Sequence, residues 1–349
     1  MSGPPPSLHL LGSAGDGGAE TYFVELVEAL HAAGLPTAAA LRGHPERERR
    51  LEAAGVPFET LGFGGPLDFS TRRRAAAWAG KTGARVLVAW MNRAARHSPA
   101  GPWARIGRLG GYYDLKYYRG FDLLVGNTED IREWIVAQGW PAERALHIPN
   151  FAEAGPAGAV SRASLDTPEG VPLLLGMGRL HASKAHDVSL RALARLPEAW
   201  LWIAGAGPIE AELKALAAEL GVADRVRFLG WRSDASALYR AADLCVFPSR
   251  YEPLGNTVIQ AWAHGLPVVA AESKGPAALI RDGVDGRLTP IDDVEAFTEA
   301  VRSLIADPAS RRSLAEAGLA RVSADFSKAA VVERWRALFE QAGGARCAA

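Results

Sequence analysis

Short apolar runs alternate along the chain with amphipathic stretches of roughly 10–15 residues, the rhythm of βαβ units and parallel sheets. In the first half the predicted strands are SLHLLG, PTAAAL, RVLVAW and DLLVGN; in the second they are PLLLGMG, AWLWIAG, RVRFLG, LCVFPS and PVVAA. Between them lie helical patterns such as AETYFVELVEALHAAG, with Tyr22, Phe23, Leu26, Val27 and Leu30 on one face and Gly34 as its stop. The pattern runs through twice, which predicts an α/β protein of two doubly wound, Rossmann-like domains facing across a cleft, with ligands at the carboxyl ends of both sheets. Apolar periodicity lapses over residues 150–170, where Gly, Pro, Ala and Ser take over, and this segment reads as the linker. The expected domains are 1–160 and 165–325, followed by a helix over 326–349 that has no strand after it and is free to pack back on the first domain.

The 349 residues and 48% hydrophobic content are ordinary for a globular protein with two sizeable cores. No apolar run reaches the length of a membrane span, and the start MSGPPPSLHLLGSAG lacks the basic end and long apolar stretch of a signal peptide. Two cysteines far apart, Cys245 and Cys347, fit a reduced, cytoplasmic protein without a disulfide framework. Net charge is zero, yet Arg42 to Arg119 holds fifteen Lys/Arg against six Asp/Glu. That stretch is either a solvated arginine-rich face or a surface for an anionic acceptor or the inner face of a membrane. No nucleic-acid motif accompanies it.

The most informative segment is PSRYEPLGNTVIQAWAHG, residues 248–265. A strand ends at Pro248-Ser249, Pro253 and Gly255 punctuate a turn, and Asn256 or Thr257 is the expected cap of a helix that ends at Gly265. Free backbone N–H groups at such a helix start favour an anion. A carboxylate there, Glu252, would repel phosphate, so it belongs on a neutral group rich in hydroxyls, such as a sugar; the bland alternative is a turn cap. Gln260 is placed to reach back toward the same ligand, or else faces solvent. The loop GRLHASKAHD puts Arg179 and Lys184 just after another strand, where two cations neutralise a diphosphate unless they are simply solvated. Gly205, Gly207 and Gly230 end further strands and leave room for a planar base to approach the backbone.

GRLHASKAHD, AGAGP, RVRFLGW and FPSRYEPLGNTVIQAWAHGLPVVAA, in that order, resemble the carboxyl-terminal half of the family 4 retaining glycosyltransferases, nucleotide-sugar enzymes of the GT-B fold. GSAGDGGAETYFVELVEAL and VGNTEDIREWI resemble the amino-terminal half more loosely. The resemblance implies that Arg179 and Lys184 hold the donor diphosphate with the backbone of Leu254, Gly255, Asn256 and Thr257, and that Glu252 contacts donor-sugar hydroxyls. Gly17 and Gly18 would approach the phosphates from the opposite domain. Gln260 stands where the family's second glutamate binds the nucleotide ribose, a departure that implies weaker or altered nucleotide binding. The donor would be a UDP- or GDP-sugar and the acceptor a glycan or lipid-linked glycan of the bacterial envelope or an exopolysaccharide.

The acceptor side is expected in the first domain. Asn92, Arg93, Arg96 and His97 follow the strand VLVAW, and the arginines suit a phosphate-bearing or lipid-linked acceptor; His97 either orients a hydroxyl or is an ordinary loop histidine. The tyrosines of GGYYDLKYYRG line a sugar site or pack the domain. No His-x3-His pair or cleft-edge Asp-x-Asp suggests a metal, and no cofactor is expected. Two other readings remain at this level: a GT-B nucleotide-sugar epimerase, which needs no acceptor, and a non-catalytic sugar-nucleotide-binding subunit.

Overall fold

The computed structural model describes residues 3–15, 17–65, 67–155 and 158–345, so Cys347 and positions 156–157 of the expected linker lie outside the described residues. Two compact units emerge: one runs to Asn150 and resumes at Lys328, and the other is Phe151–Ser327.

The first unit is a seven-stranded parallel sheet of β1 (Ser7–Leu11), β2 (Thr37–Arg42), β3 (Phe58–Leu61), β4 (Val86–Trp90), β5 (Ala104–Leu109), β6 (Leu123–Gly126) and β7 (Ala145–His147). Its spatial order is β3-β2-β1-β4-β5-β6-β7. The crossovers are α1 (Gly18–Ala32), α2 (Pro45–Ala53), α3 (Phe69–Lys81), α4 (Met91–His97) and α5 (Glu129–Ala137). The second unit alternates β8 (Leu173–Met177), α6 (His186–Leu193), β9 (Trp200–Ala204), α7 (Glu210–Glu219), β10 (Val226–Gly230), α8 (Ala235–Ala241), β11 (Leu244–Phe247), α9 (Asn256–Ala263), β12 (Val268–Ala271), α10 (Lys274–Leu279) and β13 (Arg287–Thr289). Those six parallel strands lie in the order β10-β9-β8-β11-β12-β13, followed by α11 (Val294–Ala306) and α12 (Pro308–Arg321). The last helix, α13 (Lys328–Ala345), packs on α1 and β4 of the first unit.

Four strands escape a reading from apolar runs. β3, β7 and β13 are edge strands of three or four residues, too short to show a period. β5 is central, but Arg105, Gly107 and Arg108 break its apolar run. The face of α1 expected to be apolar is buried, Tyr22, Phe23, Leu26, Val27 and Leu30 included. Each such side chain contributes about 1.5–3 kcal/mol on burial. Trp335 and Phe339 of α13 are fully buried beside His9 of β1, their ring centroids 6.4 and 5.9 Å from it. Tyr118 is likewise fully buried, beside Phe121, and Tyr112 meets Trp134 edge-on, so these two tyrosines pack the unit.

Each unit also buries a neutral histidine. Burial lowers the pKa of His9 to about 3 and that of His186, at the start of α6, to about 4. Both values lie below the unfolded value, so the stability these rings contribute is complete above pH 6.5 and is lost as the pH falls. Between pH 6.5 and 5, where most carboxylates stay ionised, each unit should lose about 2 kcal/mol on this account. Urea unfolding across that window checks it. A His9→Gln variant should flatten the decline in the first unit only, and a pH-independent midpoint in the wild type would refute the claim.

Candidate functional site

In each sheet the strand order reverses once, between β1 and β4 in the first unit and between β8 and β11 in the second. Crossovers leave in opposite directions at such a point, so the loops at the carboxyl ends part and leave a crevice. In the second unit β8 and β11 are hydrogen-bonded neighbours, which brings the loop after β8, with Arg179 and Lys184, beside the loop after β11, with Glu252.

Arg250 pins the two loops together. Its Nη1 and Nη2 donate to the two carboxylate oxygens of Asp187 at 2.9 and 2.7 Å, Nε donates to Asp292 at 2.6 Å, and Nη1 also reaches the Ala182 carbonyl at 2.8 Å. The Arg250 and Tyr251 amides both donate to the Ser183 carbonyl, at 2.9 and 3.2 Å. The bonds to Asp187 hold the Arg250 pKa above its ordinary value. Nothing in the sequence pattern singled out Arg250 or its partner; the only available signal was an arginine in the turn and an aspartate at a helix start.

Within this frame Lys184 and Glu252 form an ion pair, both side chains largely out of solvent. The second carboxylate oxygen of Glu252 accepts the backbone N–H of Gly255 at 3.2 Å and that of Leu254 at 3.4 Å. The Lys184 ammonium lies 5.7 Å from the centre of the Phe247 ring. Of the residues expected at the site, Lys184, Glu252, Leu254 and Gly255 are therefore in direct contact. Leu254 contributes its backbone only, since its side chain is buried in the core.

The remaining positions differ in detail. Gly255, not Asn256 or Thr257, caps α9, because its φ of 84° lies in the left-handed region that a side chain disfavours. The Thr257 side chain is hydrogen-bonded to Tyr239, whose ring stacks on His264 at 5.0 Å. Gln260 is half-buried in the second turn of α9, and its backbone carbonyl accepts from His264 Nδ1 at 2.7 Å. Arg179 is exposed, and among the described residues its side chain makes no ion pair. At Gly205 the missing Cβ makes room for the chain itself: a Cβ there would lie 1.9 Å from the Gly178 carbonyl oxygen. Gly230 faces open space. Gly275, which sequence reasoning missed, donates to the Glu252 carbonyl at 2.7 Å and is packed against the backbone of residues 252–254.

In the first unit Gly17 caps α1 and Gly18 begins it, both exposed. β4 passes into α4 through Met91, which carries a φ of 61°. A side chain held in that region stores about 1–3 kcal/mol of strain. Asn92 is half-buried with its Oδ1 unpartnered, and Arg93 is exposed and reaches the Phe63 carbonyl at 3.3 Å. Arg96 lies 5.8 Å from the Tyr117 ring. His97 is buried, edge-on to Phe63, and bonded to the Gly64 carbonyl at 3.2 Å. Among the described residues no group of three or more His, Cys, Asp or Glu is arranged to hold a metal ion, and no helix is long and apolar enough to cross a membrane.

The sequence profile described as glycosyl transferases group 1 matches residues 159–321. Over 323 residues the chain is 38% identical to the lipopolysaccharide core biosynthesis glycosyltransferase LpsE of Rhizobium meliloti (strain 1021), a match spanning 92% of this chain and 95% of that one. It is 34% identical to LpsD of the same organism over 333 residues, 93% and 96% of the two chains. Among solved structures, HepE from Anabaena in complex with UDP and glucose superimposes with a TM-score of 0.84 at 20% identity, covering 97% of this chain and 100% of that one. That likeness shows the fold to be GT-B.

The Gly205–Gly178 contact generates a test of how the Arg179–Lys184 loop is held. Gly205→Ala must push the end of β8 aside, and overpacking of this kind should lower stability by about 1–3 kcal/mol, read as a fall in the urea midpoint. An unchanged midpoint would mean that the loop yields freely.

Proposed function

The chain belongs to the glycosyl transferases group 1 and, from that premise, we propose a retaining, metal-independent transfer of a sugar from a nucleotide-diphosphate donor held in the second unit. The observation that carries this reading is the contact of Lys184, Glu252 and the Gly255 amide at the point where the second sheet reverses its strand order. The acceptor is a glycan of the bacterial envelope; relatives named for lipopolysaccharide core biosynthesis support that class. UDP in the HepE complex supports uracil as the base of the donor.

The geometry suggests an exchange of partners. Lys184 is paired with Glu252, so an arriving diphosphate competes with that carboxylate for the ammonium. Once Lys184 turns to phosphate, Glu252 becomes available to accept hydrogen bonds from hydroxyls of the attached sugar. Arg179, exposed on the same loop, adds a second charge-assisted donor to the diphosphate. As the bond from the anomeric carbon to the phosphate oxygen breaks, negative charge grows on the diphosphate and positive charge on the ring, and the two cations stabilise the former. The acceptor hydroxyl adds on the face the diphosphate leaves, and its proton passes to the departing phosphate oxygen. Asn92, Arg93 and Arg96, in the first unit, are proposed to meet the acceptor; His97, spent on Gly64, acts by holding that loop.

Two measurements test the donor assignment. Lys184→Ala and Arg179→Ala should each cut turnover by about 10²–10³, followed as UDP release from a UDP-sugar with envelope glycolipid as acceptor. Unchanged rates in both variants would remove the electrostatic mechanism. Gln260→Glu should tighten donor binding by supplying a charged acceptor to the ribose. Titration calorimetry that finds donor affinity unchanged would exclude the ribose role.

A further inference from the structure

Arg108 of β5 is buried to 2% exposure, yet among the described residues no carboxylate pairs with it. Its Nη2 donates to Asn150 Oδ1 at 2.7 Å, while Nη1 has no hydrogen-bond partner. Three aromatic rings surround the guanidinium, with centroids at 6.0 Å for Tyr22 and 5.9 Å for both Trp90 and Trp335. Ring faces attract a cation, but a desolvated guanidinium without a counter-charge is expensive to keep. Burial lowers its pKa to about 10, which leaves it charged at neutral pH.

The surroundings are arranged as a receptor. Arg108 lines a small pocket at the carboxyl ends of β4, β5, β6 and β7, with Trp90, Tyr22, Asn127 and Asn150 as its buried floor. The half-exposed Ala19, Met91 and Gly110 line it as well. Asn127 carries an amide oxygen without a partner, so a turn of that amide offers a second donor to the pocket. Ala19 sits in the first turn of the fifteen-residue helix α1, whose amino end favours negative charge. The nearby carboxylate of Glu20 is bonded to the Ser13 hydroxyl at 2.6 Å. The free volume of about 20 Å³ admits a single oxygen-sized group.

We propose that this pocket is an anion subsite in which Arg108 receives one oxygen of a carboxylate or phosphate carried by the acceptor. The assignment of that anion to the acceptor rests on the function proposed above; the binding of the anion does not. A uronic-acid carboxylate and a sugar phosphate present the same chemistry to Arg108, an anionic oxygen on a hydrophilic ring. The subsite therefore selects an acidic glycan over a neutral one.

The test uses the full chain and simple probes: D-glucuronate, inorganic phosphate and uncharged D-glucose, titrated calorimetrically. Glucuronate or phosphate should bind the wild type and lose roughly tenfold or more in affinity in Arg108→Met, with Arg108→Lys between them. Glucose should not discriminate among the three proteins. Loss for glucuronate identifies a carboxylate acceptor, and loss for phosphate a phosphorylated one. Phosphate also has Lys184 available, so the titrations are repeated in Lys184→Ala, where the Arg108-dependent binding should persist. Titration with UDP separates the two readings, since Lys184→Ala should weaken UDP and Arg108→Met should not. Anion binding that is the same with and without Arg108 overturns the proposal. Should Arg108→Met fail to fold, wild-type crystals soaked in glucuronate and in phosphate decide: an anionic oxygen within hydrogen-bond distance of Arg108 Nη1 supports the subsite, and water at that place with the anions absent or elsewhere overturns it.

Discussion

The chemistry assigned to the second unit depends on one two-pronged ion pair, Arg250 to Asp187. It spans sixty-three residues of sequence and ties the loop after β11 to the start of α6. Strand order alone sets the two loops side by side, but neighbouring loops remain free to slide. A planar guanidinium meeting a carboxylate through two parallel hydrogen bonds fixes both distance and orientation, which a lysine's single rotatable ammonium would not do. With that frame in place, Lys184 and Glu252 meet. Gly275, pressed against the backbone of the same turn from the start of α10, closes it on the far side.

The two units place charge at the carboxyl ends of their sheets in opposite ways. In the second unit each cation of the pinned loops except Arg179 has an acid: Arg250 has Asp187 and Asp292, and Lys184 has Glu252. Such pairs hold their members in position. In the first unit Arg108 is deeper and has aromatic faces and one amide oxygen in place of an acid. A permanent carboxylate there would neutralise the guanidinium more fully and would also close the pocket to any other anion.

Backbone close approach is the other organising device. The loop after β8 lies against the start of the loop after β9 with no side chain between them, as the Gly178–Gly205 contact shows. Shaving the spacer to hydrogen lets two βα loops of a twisted parallel sheet stack directly at the start of the segment that carries Arg179 and Lys184. The glycines in AGAGP thus serve the packing of the cradle. Gly230, by contrast, has open space where its side chain would be.

The sequence by itself determined the two α/β units, the buried face of α1, and the local chemistry of each loop after β8 and β11. These follow from periodicity, turn residues and the identity of charged groups within a few positions, all of which are local quantities. The charges in β5 hid that strand because a buried arginine mimics a surface pattern until its aromatic surroundings are known, and Tyr22, Trp90 and Trp335 come from three distant segments. The edge strands β3, β7 and β13 are too short for a period to emerge. Only the tertiary structure decided which carboxylate pairs with which cation: Lys184 with Glu252, sixty-eight residues on, and Arg250 with Asp187. The reason is geometric, since the order of strands across a sheet chooses which loops are neighbours, and no local pattern of residues encodes that order.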